Sequence, residues 1–585
     1  MAVTRRRFLQ SGFAVLGAGA GAALARRAEA ARGFAAPAPP GTNAHPMWTP
    51  GSASTPILRL GGDALADVVE FSGIPFSPRW HGDAFPANAI PFHTPESPPA
   101  WAKLDEHVDV AIVGGGLSGL ATAYHLAGAA GGGRRARDWV LFDLRPRLGG
   151  NCMGEEWNCV PYSLGSAYFM VPDPGDPFDA LYSDLGVYER AVVDGGSGFQ
   201  FEYGGRILQD LCVDCTPDEA AALRAYQAAV EERAFCAYPA LPWEDRGTRE
   251  LVRLLDQRDF RTDVTQACGG HVPPMLARAL QAYCTSSFGV CWSELSAAAG
   301  WNFVAAEEYG RLVLPGGNAG LATLLWERLT AERGRGERGD GAWSRLRAGC
   351  TVTDVRPLRE GVALAWRDAQ GRTRTLGARH VVLAGSKHIV HHIVPDVRQL
   401  DPDKYEAMHQ VPTMAYLVAN VLLRRAHGQR FYDLFAIHDE RFPMSEGEFQ
   451  ADRRITDAVN GSLAVSVAHP HADVLTLYWP LPWATSRFDV VQEDAWRSAA
   501  EWAAPQIRRL LPVLGLEPRD VAGVRLARWG HAMPYARPGT YSGDLCEILR
   551  RPVQDRMWFA NQDNWLLPAV ETCLSEATWT ASQIQ

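Results

Sequence analysis

Six consecutive residues, Gly114-Gly115-Gly116-Leu117-Ser118-Gly119, carry the most specific chemistry in the chain. A short apolar run, Val108 to Val113, precedes them and suits a buried parallel strand. After them Leu117, Leu120, Ala121, Tyr124 and His125 recur in a helical pattern. G-x-G-x-x-G between a strand and a helix is a dinucleotide-binding arrangement. Gly114 permits the tight turn, Gly116 lets a pyrophosphate approach the backbone, and Gly119 lets the helix pack closely on the strand. With Leu117 and Ser118, the helix start offers N–H groups and a positive dipole end to phosphate. A second strand, WVLFD, is predicted to end at Asp143, an acid placed to accept hydrogen bonds from adenosine ribose hydroxyls. Asp143 lies 24 residues beyond Gly119, against a usual spacing of about 20. The loop GAAGGGRRARD takes up the excess.

Other reactive residue types are scattered. His388, His391 and His392 read as a helix face or domain-boundary cluster, because a metal needs several converging ligands. Eleven cysteines do not form a disulfide scaffold. Cys212 and Cys215 make one C-x-x-C with no second pair or nearby histidine for zinc, so they read as two ordinary thiols or one local disulfide. Lysine is nearly absent, at positions 103, 387 and 404.

The 585 residues, 47% hydrophobic and 21% charged, have ordinary globular composition. The net charge is −9 and argues against a nucleic-acid partner. An acidic balance can steer a cationic substrate. At the N-terminus, Thr4-Arg5-Arg6-Arg7-Phe8-Leu9-Gln10 resembles a twin-arginine export motif, followed by an apolar stretch and an Ala28-Glu29-Ala30 cleavage pattern. Losing residues 1–30, with five Arg and one Glu, would take the charge from −9 to about −13. This address implies the twin-arginine translocase as a partner during export, and a periplasmic or secreted protein. Residues 31–106, rich in Pro, Ala and Trp at the start, are expected to form an extended arm.

The segment FDLRPRLGGN resembles the E-x-x-x-R-x-G-G continuation of the flavin amine-oxidase and phytoene-desaturase superfamily, with Asp143, Arg147, Gly149 and Gly150 carrying the match. VPYSLGSAYF follows, where that family places a loop over the flavin ring, and Gly165 and Ser166 match its core. Pro315-Gly316-Gly317 and the meander ending in HVVLAG resemble further family elements. MWFANQDNWLLPAV resembles its C-terminal flavin motif through Phe559, Ala560 and Asp563, with Asn561 in place of glycine and a helix beginning at Ala569 and Val570.

The resemblance implies an α/β fold: a Rossmann-like FAD-binding domain with a discontinuous α+β substrate domain. The expected divisions are 107–175, 312–398 and 520–585 for FAD, and 176–311 and 399–519 for substrate. It implies FAD as cofactor, Arg147 along the pyrophosphate, the Val352 backbone against adenine, and the Ala569–Val570 helix start at the flavin. Trp529 and His531 fall where the family lines the flavin cavity; Trp529 is read as a wall for a cation and His531 as an acid/base or orienting group. Tyr168 is read as substrate-facing or packed in the core, and Trp565 as a site residue. The family's flavin-side lysine is missing: Val418 and Asn420 occupy its neighbourhood.

The leading expectation is an exported FAD-dependent oxidoreductase acting on an amine-bearing small molecule by hydride transfer to flavin N5, with oxygen, a quinone or a cytochrome as electron acceptor. The alternatives are an FAD-dependent carbon–carbon desaturase or isomerase of an apolar substrate, and a non-catalytic flavin-binding protein. An aromatic or acidic cavity favours the first; an apolar tunnel favours the second.

Overall fold

The computed structural model describes residues 55–82, 99–128, 138–173, 175–194, 200–212, 214–243, 245–331, 345–368, 370–429, 431–437, 453–465, 472–481 and 486–584. The export motif and much of the expected arm lie outside the described residues.

The chain is an α/β protein. One sheet has seven strands, in the order Leu346–Ala348, Trp139–Asp143, Glu106–Val113, Thr373–Leu383, Val362–Arg367 and Thr351–Pro357, with Met557–Phe559 also paired to Thr373–Leu383. The strands Trp139–Asp143, Glu106–Val113, Thr373–Leu383 and Met557–Phe559 run parallel. Val113 lies opposite both Phe142 and Leu383, and Leu383 opposite Phe559, so their carboxyl ends form one rim. Ligands bind in the crevice outside such a rim. Val110, Ile112 and Leu141 are fully buried, as parallel strands covered on both faces require. The remainder of this sheet is the predicted meander, turning at Gly371.

The helix Leu117–Leu126 starts directly after this rim, and Val570–Gln583 packs beside it, tied by Thr578 Oγ1 to His125 Nε2 at 3.0 Å. Gly119 is the one residue type the crossing admits: a Cβ there would sit 1.8 Å from the Gly114 carbonyl oxygen. Gly114 itself has φ 114°, which L side chains rarely adopt.

A nine-stranded sheet faces this layer. Its order is Arg206–Leu208, Gln200–Tyr203, Asp433–Ala436, Asp457–Asn460, Asp473–Pro480, Thr413–Leu423, Val521–Pro534, Ile74–Gly82 and Val69–Phe71. All of Thr413–Leu423 is buried. Alternation separates its faces: Leu417, Ala419 and Val421 pack with Ala500 and Ile507 of the helix Trp496–Val513, while Tyr416 and Val418 pack with Tyr478 and Trp529. Five helices, Pro217–Phe235, Arg246–Leu255, Phe260–Ala267, Pro274–Phe288 and Ala297–Ala306, share one buried core with Phe201 and Phe435 of this sheet. At their starts Thr216 and Glu219 form a reciprocal capping box, and Asp245 and Asp259 accept the N–H groups of Thr248 and Thr262, each three residues on.

Two expected divisions differ. Val521–Pro534 was expected to open the last piece of the cofactor domain; it hydrogen-bonds Thr413–Leu423 and Ile74–Gly82 and so belongs to the larger sheet. Residues 57–82 are not simply an extended arm. Ile57–Arg59 pairs with Gly154–Trp157, and Ile74–Gly82 buries Ile74, Phe76 and Trp80 in the larger sheet. Cys212 and Cys215 are joined as a disulfide. Among the described residues no helix is long and apolar enough to cross a membrane.

Candidate cofactor and substrate site

A cavity of about 870 Å³ opens between the two sheets, near the upper end of the range for small-molecule and cofactor sites. The rim of the parallel strands supplies one side: Gly114, Gly116, Leu117 and Ser118 after the first strand, Asp143 after the second, Ala384 to Ser386 after the third, and Asn561 and Asp563 after the fourth. Gly149, Gly150, Gly165, Ser166, Tyr168, Val352, Trp529, His531, Ala569 and Val570 also line it. Residues predicted from distant parts of the chain therefore converge on one space.

The lining fits a dinucleotide. Two helix N-termini, at Gly116 and Ala569, carry no side-chain cap and open on the same cavity. Each presents N–H groups and a positive dipole end to an anion or a developing negative charge. Asp143 accepts the Gly115 N–H at 2.7 Å and the Arg145 N–H at 2.7 Å, which fixes its carboxylate at the cavity wall. The Gly165–Ser166 loop is held by Ser163 Oγ donating to the Ser166 carbonyl at 2.7 Å, and by Tyr478 donating to the Gly165 carbonyl. Trp529 Nε1 donates to the Leu164 carbonyl at 2.7 Å, fixing its ring beside this loop.

Three readings change. Arg147 does not line the cavity: it is turned away, donating to the carbonyls of Gly154 at 2.8 Å and Pro56 at 3.4 Å. Arg145, two residues earlier, lines the cavity instead, with its guanidinium 5.7 Å from the Trp529 ring. Trp565 is a core residue away from the cavity, donating to Glu576 Oε1 at 2.9 Å and meeting Trp243 edge to face. Gly119 lies behind the wall, where its role is the close helix–strand crossing.

Two uncertain positions resolve. Asn561 has an extended φ of −156°, so no glycine is needed. Its side chain donates to the Ala384 carbonyl at 3.0 Å and accepts the Asp563 N–H at 3.0 Å, joining the third and fourth strand ends. His531 has partners: Nδ1 lies 2.8 Å from Thr413 Oγ1, and its ring stacks on His388 at 4.1 Å. Of the three histidines expected as a helix-face or domain-boundary cluster, His388 turns to His531, while His391 lies beside His392 and His409. No metal-ligand group occurs among the described residues. Val418 faces the cavity, whereas Asn420 accepts from Thr476 Oγ1 at 2.9 Å within the sheet. Lys387 is fully buried off the cavity, donating to Asn564 Oδ1 at 2.7 Å, and burial pulls its pKa down to about 8.

The sequence reading missed the other wall. Ser286, Tyr416, Tyr478, Asp433 and Asp457 line the cavity, with Glu307 and Arg311 behind Tyr168. Tyr168 donates to Glu307 Oε1 at 2.9 Å, under the Arg311 guanidinium. Burial and neighbouring carboxylates hold the phenols of Tyr168 and Tyr478 protonated, well above the usual tyrosine range. The aspartates sit singly in short strands, DLFA and DAVN, and no local motif marks them.

By fold, this is a two-layer protein with a Rossmann-like dinucleotide domain, of the architecture seen in solved amine oxidases. Residues 112–185 match the NAD(P)-binding Rossmann-like domain family. A cyclohexylamine oxidase from Brevibacterium oxydans IH-35A superposes with a TM-score of 0.56 at 16% identity, over 82% of this chain and 98% of that one. A putrescine oxidase with putrescine bound superposes with a TM-score of 0.56 at 16% identity, over 82% and 99%. Among curated proteins, coproporphyrinogen III oxidase of Mycobacterium tuberculosis is 36% identical over 86 residues, 15% of this chain and 18% of that protein. The chain thus matches less than a fifth of that relative's length. Oxidoreductase PigB of Serratia sp. (strain ATCC 39006) is 21% identical over 558 residues, 86% of this chain and 78% of that protein.

Proposed function

We propose that the protein is an exported FAD-dependent oxidoreductase that oxidises an amine-bearing small molecule. One observation carries the reading: a single cavity runs from two uncapped helix N-termini and Asp143 to a wall of tyrosines and aspartates. Bound there, FAD supplies the two-electron acceptor that takes a hydride equivalent from the substrate carbon. The helix start at Gly116, with Arg145, balances the pyrophosphate; Asp143 holds the adenosine ribose. The helix start at Ala569 stabilises negative charge on the ring system. Trp529 and His531 border the reacting end, and Thr413 fixes the His531 ring. The solved amine oxidases of this architecture and the oxidoreductase relative support the class, and the acidic, aromatic wall favours an amine over an apolar desaturase substrate. The absence of lysine near Val418 fits a quinone or cytochrome acceptor as well as oxygen.

The twin-arginine motif supports export of the folded holoprotein to the periplasm or beyond. The test is anaerobic: the purified protein should be yellow, release FAD on denaturation, and bleach with one class of amine. A colourless protein that takes up no FAD sinks the cofactor assignment. A yellow protein that no amine bleaches moves the function to the desaturase or isomerase reading.

A further inference from the structure

We propose that Asp433 and Asp457 form a carboxyl pair sharing one proton, and that this pair docks a cationic nitrogen of the substrate away from the bond that is oxidised. The inference rests on the amine reading and specifies an elongated amine with a second basic nitrogen.

The two residues lie on adjacent antiparallel strands, with Asp433 opposite Val459 and Phe435 opposite Asp457. That two-residue offset puts both side chains on one face. They line the same cavity as diagonal neighbours across the two strands. Asp457 Oδ1 accepts Ser286 Oγ at 2.8 Å and Thr456 Oγ1 at 2.8 Å. Asp433 Oδ2 meets Arg311 Nη1 at 3.4 Å, but Asp433 Oδ1 is enclosed and receives no hydrogen bond from a donor among the described residues. The Asp433 side chain is 5% exposed. A proton shared with Asp457 is the donor that oxygen lacks, and two desolvated adjacent carboxyls cannot both ionise.

The surrounding charges leave a deficit. Among the described residues Arg311 is the cation facing the pair, and it also serves Glu307 through Nε and Asp194 at 3.8 Å. Tyr168 and Tyr283 donate to Glu307 Oε1, and Arg311 Nε donates to its other oxygen. Tyr416, Tyr432 and Tyr478 face the same region as neutral phenols. With Glu307 set against Arg311, the singly protonated pair carries one buried negative charge opening on the cavity. A ligand cation cancels it, and aromatic walls suit a cation.

This subsite is remote from Trp529 and His531. Three ladder steps separate Asp457–Asn460 from Val521–Pro534, roughly 14 Å along the sheet. A nitrogen at the oxidised carbon must be neutral, whereas the pair takes a cation, so one nitrogen cannot serve both ends.

Calorimetry on the holoprotein, with its flavin reduced beforehand to prevent turnover, tests this at pH 6. The probes are 1,8-diaminooctane and 1-aminooctane. The diamine should bind at least tenfold more tightly, and the Asp433→Asn/Asp457→Asn double variant, checked by its flavin spectrum for folding, should lose the preference. Equal binding of the two probes, or a preference that survives in the double variant, overturns the proposal. If the diamine is preferred and the double variant loses that preference, yet no amine bleaches the oxidised flavin, the pair stands and the amine-oxidising reading falls.

Discussion

Asp143 and Trp565 show how little a residue's type says before its neighbours are known. Asp143 ends a fully buried strand and accepts two N–H bonds at the cavity wall. Asp143→Asn keeps the size but removes the charge from each of these bonds, and charge-assisted hydrogen bonds are worth about 1.5–3 kcal/mol. The variant should bind FAD at least tenfold more weakly, measured by fluorescence titration of the apoprotein. Trp565 was expected at the site because of its place in the C-terminal motif, and it lies in the core. Trp565→Phe should therefore leave amine-driven flavin bleaching unchanged and lower unfolding stability by about 1–3 kcal/mol, because Glu576 loses a donor. Equal loss of bleaching would return Trp565 to the site. The glycines and Asp143 were legible because their spacing is local and tied to one backbone geometry. Asp433, Asp457 and the choice of Arg145 over Arg147 were not, since each depends on which way a side chain turns inside a fold assembled from distant segments.

The strand Ile74–Gly82 is an element the composition concealed. Its region was read as an arm, yet it hydrogen-bonds Val521–Pro534 and places His81 beside Arg525 and Glu155. Arg525 donates to His81 Nδ1 at 2.9 Å, which requires a neutral ring. Burial, opposed by Glu155 and helped by Arg525, brings its pKa down to about 4. The unfolded ring titrates near 6.5, so between these values the unfolded chain binds the extra proton. Stability from His81 is present above pH ~6.5 and is lost as pH falls toward 4, on the order of 3 kcal/mol in all. Denaturant midpoints of the protein should fall over that interval more steeply than those of His81→Gln. Parallel slopes would mean that the strand does not bury a neutral histidine. The cofactor strands were legible because each is a continuous apolar run beside a motif. The nine-stranded sheet was not: its strands come from five separated stretches, and Val521–Pro534 went to the wrong layer because pairing partners are non-local.

At the scale of the molecule, two sheets enclose one cavity with a nucleotide end and an acidic, aromatic end. Removing residues 55–82 strips two strands from the edge of the larger sheet and the partner of Gly154–Trp157, and should give a chain that neither folds nor retains FAD. Gel filtration and the flavin spectrum check this. The architecture was readable from the glycine run, the Gly149–Gly150 pair and the C-terminal motif; the acidic wall appeared only when the strands were assembled. The central claim is that this cavity oxidises a carbon bearing an amine. Its most direct test is the anaerobic rate of flavin bleaching by a bleaching amine and by the same amine deuterated at the carbon next to nitrogen. The account predicts slower bleaching by the deuterated compound at saturation, with the two reaching the same end point. Equal rates set by chemistry, or bleaching by no amine at all, would contradict it.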